Sequence, residues 1–553
     1  MRSTPAPPRR VLASVAAALL VAAGATLVAA QTAPPPQETP PAQTPRPEEV
    51  APPAPPTPPG AIAPAAPPAS DESRTGAFGQ VMAADEFEYS FSTETGKEIV
   101  ENWLDLSWTL GGLRAGILLD HQAPSEDRPG PAGDGIRTNL IRHRFAEFST
   151  EGVDLRAGHF FGLFGRGLLF ASYEDRRIRV DTALDGVIAS GRRGRLRGTV
   201  FSGTPDKLTV DVRGLDSEVD LGRGWSFGAS GLTYRADTLV TAAGRVHREW
   251  VAAPRLQTTL PFGGLYVEYG WKKGWDYQPI PDDAFQGGHA FYGALDLARG
   301  PWGLSFESKD YLRFAILPHN RVPATGPSPL WTQLNNPPSL TREHLYTLLN
   351  RAPHVVDADD ERGQQAELTW SSPAGWAALL NASRTERHDG TLTFEEVYAQ
   401  LDRERWGDFR LRGALGYRDS EGLRQVAIGE VTWFIDEERS LTFEDEHQHV
   451  RLRGRPGVSL GAYDEDYLKL ELGLAPAWAL AGILEMNNKY AGQRAFGEKP
   501  GPFPAVEIAY ATSRGTALAL WAGKRQAGYL CAGGVCKYEP AFEGVELTGT
   551  VRY

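Results

Sequence analysis

Apolar and polar residues alternate with a period of two along most of the chain after residue 77. No other feature restricts the fold as much. Phe87, Tyr89 and Phe91 alternate with Glu86, Glu88 and Ser90. Leu104, Leu106, Trp108 and Leu110 alternate with Asp105, Ser107 and Thr109. The period returns at Leu208/Val210/Val212, Val267/Tyr269/Trp271 and Phe409/Leu411/Gly413/Leu415/Tyr417, then at Leu468/Leu470/Leu472/Leu474 and Val506/Ile508/Tyr510. Successive side chains of a strand point to opposite faces, so these segments read as half-buried strands. No long helical pattern interrupts them, which argues against a parallel α/β fold. The absence of a fixed repeat argues against a propeller or solenoid.

The connections carry the next constraint. Short turns are expected at Gly111-Gly112, Gly222-Arg223-Gly224, Pro261 to Gly264, Arg299 to Pro301, Ser372 to Gly375, Asp436 to Glu438, Ala475 to Ala477 and Ser513 to Gly515. Longer polar connections fall between them at 120–136, 235–246, 274–286, 317–362, 451–462, 488–502 and 524–537. Short and long alternate, as in an outer-membrane barrel with short periplasmic turns and long outer loops. If 159–177 is one outer excursion, the first strand lies near 85–92 and the count is about 24 strands, within 18–26. The even count leaves both termini periplasmic. The predicted fold class is all-β, a single large antiparallel transmembrane barrel over 78–553. The Trp and Tyr content would supply interfacial girdles, as around Trp103, Trp108, Trp250, Trp271 and Trp275.

Residues 1–30 read as a secretory signal. Arg9 and Arg10 precede the apolar stretch Val11 to Val28, and Val28-Ala29-Ala30 offers small residues before Gln31. A retained anchor helix is the alternative. Residues 31–77 are rich in Pro and Ala and form an expected disordered linker, extended in polyproline II. At about 3.1 Å per residue its ~45 residues reach roughly 140 Å, enough to contact cell-wall or periplasmic partners. The formal net charge of −12 becomes −12 − 3 = −15 without Arg2, Arg9 and Arg10. That balance excludes nucleic acid as the expected partner. Outer-membrane lipid, the barrel-assembly machinery and small polar solutes are the partners expected instead. After residue 30 no apolar run is long enough for a spanning helix.

A barrel of this size needs something to narrow it. His159 to Arg177 is too apolar for a free outer loop. It either packs inward or continues as strand above the membrane. The excursion 317–362 carries a helical pattern from Thr341 to Asn350, with Thr341 as the N-cap. One reading makes it an inward constriction loop, with Arg342, Arg351 and Arg362 facing Asp357, Asp359, Asp360 and Glu361, and with Glu343 and His354 beside them. The other makes it an outer cap held by its own salt bridges. The same carboxylates could bind Ca²⁺, although their spacing lacks an EF-hand glycine. His319, His344 and His354 are too irregularly spaced for zinc, and no metal or other cofactor is predicted. Arg410, Arg412 and Arg418 share one strand face. On the lipid side each would cost roughly 2–4 kcal/mol at mid-depth, so they should face the lumen. There they form an anion-attracting ladder, or pair with acids such as those in 442–446. Cys531 and Cys536 bracket Gly533-Gly534 and read as a disulfide closing a small ring in an exported chain. Catalytic signatures are missing. Gly224-Trp225-Ser226-Phe227-Gly228 and Gly457-Val458-Ser459-Leu460-Gly461 match GxSxG in letters, but no helical pattern follows either to make a nucleophile elbow. No HExxH or phosphate-binding loop occurs, and an enzyme is not expected.

The last eleven residues place Tyr553, Val551, Gly549, Leu547 and Val545 on one face, and Arg552, Thr550, Thr548 and Glu546 on the other. An alternating strand ending on an aromatic residue resembles the closing strand of bacterial outer-membrane barrels. Three further stretches are similar to an uncharacterised family of Gram-negative outer-membrane, porin-like barrels. These are Cys531 to Cys536 with Pro540-Ala541-Phe542-x-Gly544, then Asn350-Arg351 through Gly363, and Phe164-Gly165-Arg166-Gly167 with Tyr173-Glu174-Asp175-Arg176. The resemblance spans roughly 85–553 and implies location and fold, without a substrate. The leading expectation is an outer-membrane channel, passive or loop-gated, for small polar solutes. The alternatives are a non-conducting scaffold that binds through its loops and tether, and a barrel-embedded hydrolase.

Overall fold

The computed structural model describes residues 78–123, 139–205, 211–237, 246–275, 287–316, 333–420, 422–453, 461–490, 493–494, 500–513, 515–532 and 535–553. The expected signal (1–30) and linker (31–77) lie outside the described residues. Among those described, 24 strands join into one sheet, every neighbouring pair antiparallel and, apart from the closing pair, consecutive among the strands of that sheet. The sheet closes on itself. The first strand, Gln80–Ser92, pairs with Glu98–Leu110 on one side and with the last strand, Phe542–Arg552, on the other. The closing register runs from Ala84↔Arg552 to Ser92↔Gly544, and the Tyr553 N–H donates to the Ala83 carbonyl at 2.9 Å. The strand number agrees with the alternation, although the first strand begins before residue 85.

Closure gives every strand an inner and an outer face, and the period of two sorts the residues between them. Leu113, Ile141, Val153, Leu196, Leu215, Leu415, Leu470 and Val506 are exposed on the outer face. Between them, Glu268, Lys309, Glu361, Glu396, Glu446 and Glu465 are buried on the inner face. An apolar exterior around a charged interior is the inverse of a soluble core, and it suits a wall standing in lipid. Exposed tryptophans ring one rim. Trp108, Trp225, Trp302, Trp376, Trp406, Trp433 and Trp478 each sit at or within two residues of a strand end beside a short turn. Trp250 and Trp271 are exposed nearer the other rim. Trp103 is not part of a girdle: only 6% exposed, it faces inward.

The short turns share the rim that also holds the start of the first strand, Gln80, and the end of the last, Arg552. Their backbone explains their composition. In the two-residue turn Arg223-Gly224, φ is +56° and +81°, both left-handed, which matches the twist of the flanking strands. The opposite rim carries the long connections, but not uniformly. The links after Ser92, Glu386 and Asp419 are themselves tight, so short and long do not alternate strictly.

Candidate functional site: two segments folded into the lumen

Residues 161–183 leave the wall after Val153–Phe160 and return at Leu184–Arg193, where Leu184 pairs with Phe160. They pack inward. Phe164, Leu168, Leu169 and Phe170 are buried against the inner-wall residues Phe201, Val212, Leu232, Tyr234 and Val251. Phe170 and Phe201 have ring centroids 4.6 Å apart. Two short hairpins, Gly162–Phe164 with Phe170–Ser172 and Glu174–Asp175 with Val180–Asp181, shape the segment. Polar groups fasten its ends. The Arg166 N–H donates to Glu268 Oε2 at 3.2 Å, and the Tyr266 hydroxyl donates to the same oxygen at 2.7 Å. Gly165 has φ +56°, and a Cβ there would lie 2.6 Å from the Glu268 carboxylate, so any other residue would have to displace that carboxylate from the Arg166 N–H and the Tyr266 hydroxyl. Arg176 reaches Glu86 and Asp105, each at 2.9 Å. Arg179 reaches Glu88 at 2.9 Å, also contacts Glu101, and lies 5.0 Å over the Trp103 ring. Burial would push the Asp181 carboxyl up, but the His143 bond at 3.1 Å, Arg142 at 2.6 Å and the Ala183 N–H hold it well below the usual range.

The second segment spans 313–359; residues 317–332 of it lie outside the described ones. From 333 onward it is tied to the inner wall over many strands. Lys309 pairs with Glu361, both fully buried, and His354 Nε2 lies 2.7 Å from Glu361. Arg342 pairs with Glu367, and His344 with Glu396 at 2.9 Å. The N–H groups of Thr347 and Leu348 donate to the Glu446 carboxylate at 2.9 and 2.8 Å. Arg351 bridges Glu465 at 3.4 Å and Glu485. Burial opposes the Arg351 charge, yet the two carboxylates raise its pKa and keep it protonated. Arg418 pairs with Glu396 and donates to the Leu349 and Ala352 carbonyls, the latter at 2.9 Å. The two segments also bind each other. The Ala171 N–H donates to the Leu334 carbonyl, the Asn336 N–H to Gly167, and the Asn335 amide to Leu168, at 2.9, 3.1 and 3.0 Å.

Several expectations change. The helix is only Thr347–Asn350, preceded by extended Tyr346 without a side-chain cap; Thr341 instead donates to Ser339. The Glu446 carboxylate accepts the N–H groups that a cap would otherwise satisfy. Arg342, Arg351 and Arg362 do not face Asp357, Asp359, Asp360 and Glu361. The first two reach across to wall glutamates, and Arg362 lies on the opposite strand face beside Glu386 at 2.7 Å. Glu343 acts electrostatically on Arg177 of the first segment. The four carboxylates diverge. Asp357 accepts the Asp359 N–H, Asp359 accepts the Ala315 N–H, Asp360 meets His388 at 2.8 Å, and Glu361 turns inward. Among the described residues no group of three or more acids, histidines or cysteines is arranged to hold a metal ion.

Arg410, Arg412 and Arg418 do share the inner face, but their partners are not in 442–446. Arg412 pairs with Asp402, Arg410 with Glu430 at 3.3 Å, and Arg418 with Glu396. Cys531 and Cys536 are backbone partners in the hairpin Gly528–Ala532/Val535–Glu539, which supports their juxtaposition; their side chains lie outside the described residues. Leu547 and Val551 lie on the outer face of the closing strand, and Tyr553 is 80% exposed. Sequence reasoning missed the wall acids Glu268, Glu396, Glu465 and Glu485, and placed Glu446 only among partners for the strand arginines rather than under the Thr347 and Leu348 N–H groups. Their one signal is an acid at an inward position of an otherwise apolar strand, as Glu485 is in Ile483-Leu484-Glu485.

Solved structures with a similar course of chain include the P pilus usher PapC translocation pore, at 8% identity over 86% of this chain and 99% of that one, TM-score 0.44. OpdK of Pseudomonas aeruginosa with vanillate matches at 13% identity over 62% and 93%, TM-score 0.34. The outer membrane transporter YddB from Escherichia coli matches at 8% identity over 86% and 81%, TM-score 0.36. Among curated proteins none matches the chain. One family model does match, over residues 78–385 and 417–553, and the chain therefore belongs to the family of unknown function DUF6029.

Proposed function

We propose that the chain is an outer-membrane channel for small polar solutes, with its lumen narrowed by 161–183 and 333–359. The short-turn rim, with the start of the first strand and the end of the last, faces the periplasm. The reading rests on one observation above the others. The 333–359 segment carries Arg351 into the barrel to two glutamates on separate strands, while the wall residue Arg418 grips its backbone. A segment held this way lies across the solute path, and its charged contacts set which solutes pass. A second reading, a non-conducting scaffold, is favoured by the bonds between the two segments, which join them into one plug.

Planar-bilayer recording separates the two. The exported chain is compared with a variant in which 333–359 is replaced by a short Gly/Ser linker. Small steps in the parent that grow in the variant support the narrowed channel. A silent parent with large steps in the variant supports a plugged barrel. Silence in both, with folding checked by heat-modifiable gel mobility, sinks the channel reading.

A further inference from the structure

Below the apolar floor formed by Phe201 and the first inward segment, the inner wall opens into a polar cavity of about 370 Å³ near the short-turn rim. Strand register orders its residues into two rows. Asp154, Ser190, Thr199 and Asp216 are successive cross-strand partners in the upper row. Arg192, Arg197 and Glu218 follow one another in the lower row. Arg255 is buried and lies flat over Gly228, where a Cβ would come within 2.5 Å of the guanidinium. From there it takes Asp216 at 2.6 and 3.0 Å, Ser230 at 3.0 Å and Glu218 at 3.3 Å. It thereby offsets both acids.

What remains is the pair Arg192 and Arg197, with Asp154 and Glu151 as the other charged residues of the lining. Arg192 and Arg197 stand directly opposite each other, an arrangement that costs stability in a sheet. Among the described residues neither they nor Asp154 makes an ion pair. The Ser190 and Thr199 hydroxyls, 3.0 Å apart, stand in the row above the two arginines. With strands about 4.8 Å apart and a rise of about 3.4 Å per residue, the Asp154 backbone stands about 8 Å from that of Arg192.

We propose that this cavity is a solute subsite for small zwitterions of the amino-acid or short-peptide class. Arg192 and Arg197 receive the carboxylate as planar donors, assisted by the two hydroxyls. Asp154 receives the ammonium group. Arg255 occupies Asp216 and Glu218, and the remaining acids of the lining, Asp154 and Glu151, disfavour a simple dianion. The inference rests on the reading of the lumen as a solute path, and it supplies that path with a substrate class.

The test is titration of the detergent-folded full chain by calorimetry with glycylglycine, N-acetylglycylglycine, glycylglycinamide and inorganic phosphate. The expected result is saturable binding of glycylglycine, at least tenfold tighter than either blocked peptide or phosphate. R192Q and R197Q, which relieve a like-charge contact and should fold, weaken glycylglycine at least tenfold. D154N weakens glycylglycine but leaves N-acetylglycylglycine unchanged. Equal binding of zwitterion and blocked peptides, preference for phosphate, or indifference to the three substitutions overturns the proposal. Binding in detergent by a chain that is silent in bilayers would sink the channel and keep the subsite. Conduction without binding would do the reverse.

Discussion

At the scale of single residues, the inner segments are held by buried charges whose loss leaves a partner stranded. Arg351→Ala removes the cation shared by Glu465 and Glu485. Lys489 still reaches Glu465 at 2.8 Å, so Glu485 is the group left uncompensated. Breaking a buried pair in this way costs about 3–5 kcal/mol. The expected outcome is faster hydrogen exchange across 340–356 with the barrel strands unchanged; equal exchange in both proteins would contradict it. Asp181 gives a pH signature for the other segment. Its carboxyl is depressed in the folded chain, so the stability it supplies is present above the ordinary Asp value of about 3.9 and is lost as pH falls through the depressed one. Protection from exchange over 171–183, taken relative to the intrinsic rate at each pH, should therefore fall in acid, and D181N should show the reduced protection already at about pH 6. Gly165 separates two costs. Gly165→Ala meets both a left-handed backbone and the Glu268 carboxylate, whereas Gly390→Ala, at φ +85° in open space, meets only the first. Thermal unfolding should show the Gly165 variant losing clearly more than the ~1 kcal/mol expected of a positive-φ glycine alone.

At the scale of elements, legibility divides along the period of two. Outer faces such as Leu468/Leu470/Leu472/Leu474 were readable because lipid and lumen impose opposite chemistry on adjacent residues. The apolar excess of Phe160 to Phe170 identified a segment that had to find cover, but two covers were compatible with it. Only the inner-wall residues Phe201, Val212 and Tyr234 decided for the lumen. The anchoring of 333–359 was not readable. Thr347 and Glu446 are 99 residues apart, and Arg351 and Glu485 are 134 apart. Pairing across a closed barrel depends on which strands end up facing each other, and local spacing carries no trace of that. The expectation that Arg351 meets the nearby Asp357 failed for this reason: the close acids were already taken by backbone N–H groups of their own loop.

At the scale of the whole molecule, the barrel is one cooperative ring whose seam joins residues near 85 to residues near 550. Every backbone group in the lipid must be paired, so an open seam is not tolerated. Deleting 551–553 removes the Val551 and Arg552 partners of the first strand and the Tyr553–Ala83 bond. The expected result is loss of the heat-modifiable form from membrane fractions. The lumen segments add a second layer to this ring, fastened to it by the wall glutamates Glu268, Glu367, Glu396, Glu446, Glu465 and Glu485. Their position inside the lumen is the central claim, and cysteine trapping tests it most directly. A Cβ at Gly416 on the inner wall would lie 3.0 Å from the Leu349 Cδ2 atom, so side chains at these two positions meet. In a chain with Cys531 and Cys536 replaced by serine, Leu349→Cys with Gly416→Cys should oxidise to one crosslinked species in membranes, seen as a reducible gel shift of the folded form. A folded double variant that stays reduced under oxidant, with both thiols open to a water-soluble maleimide, would contradict an inward-folded 333–359.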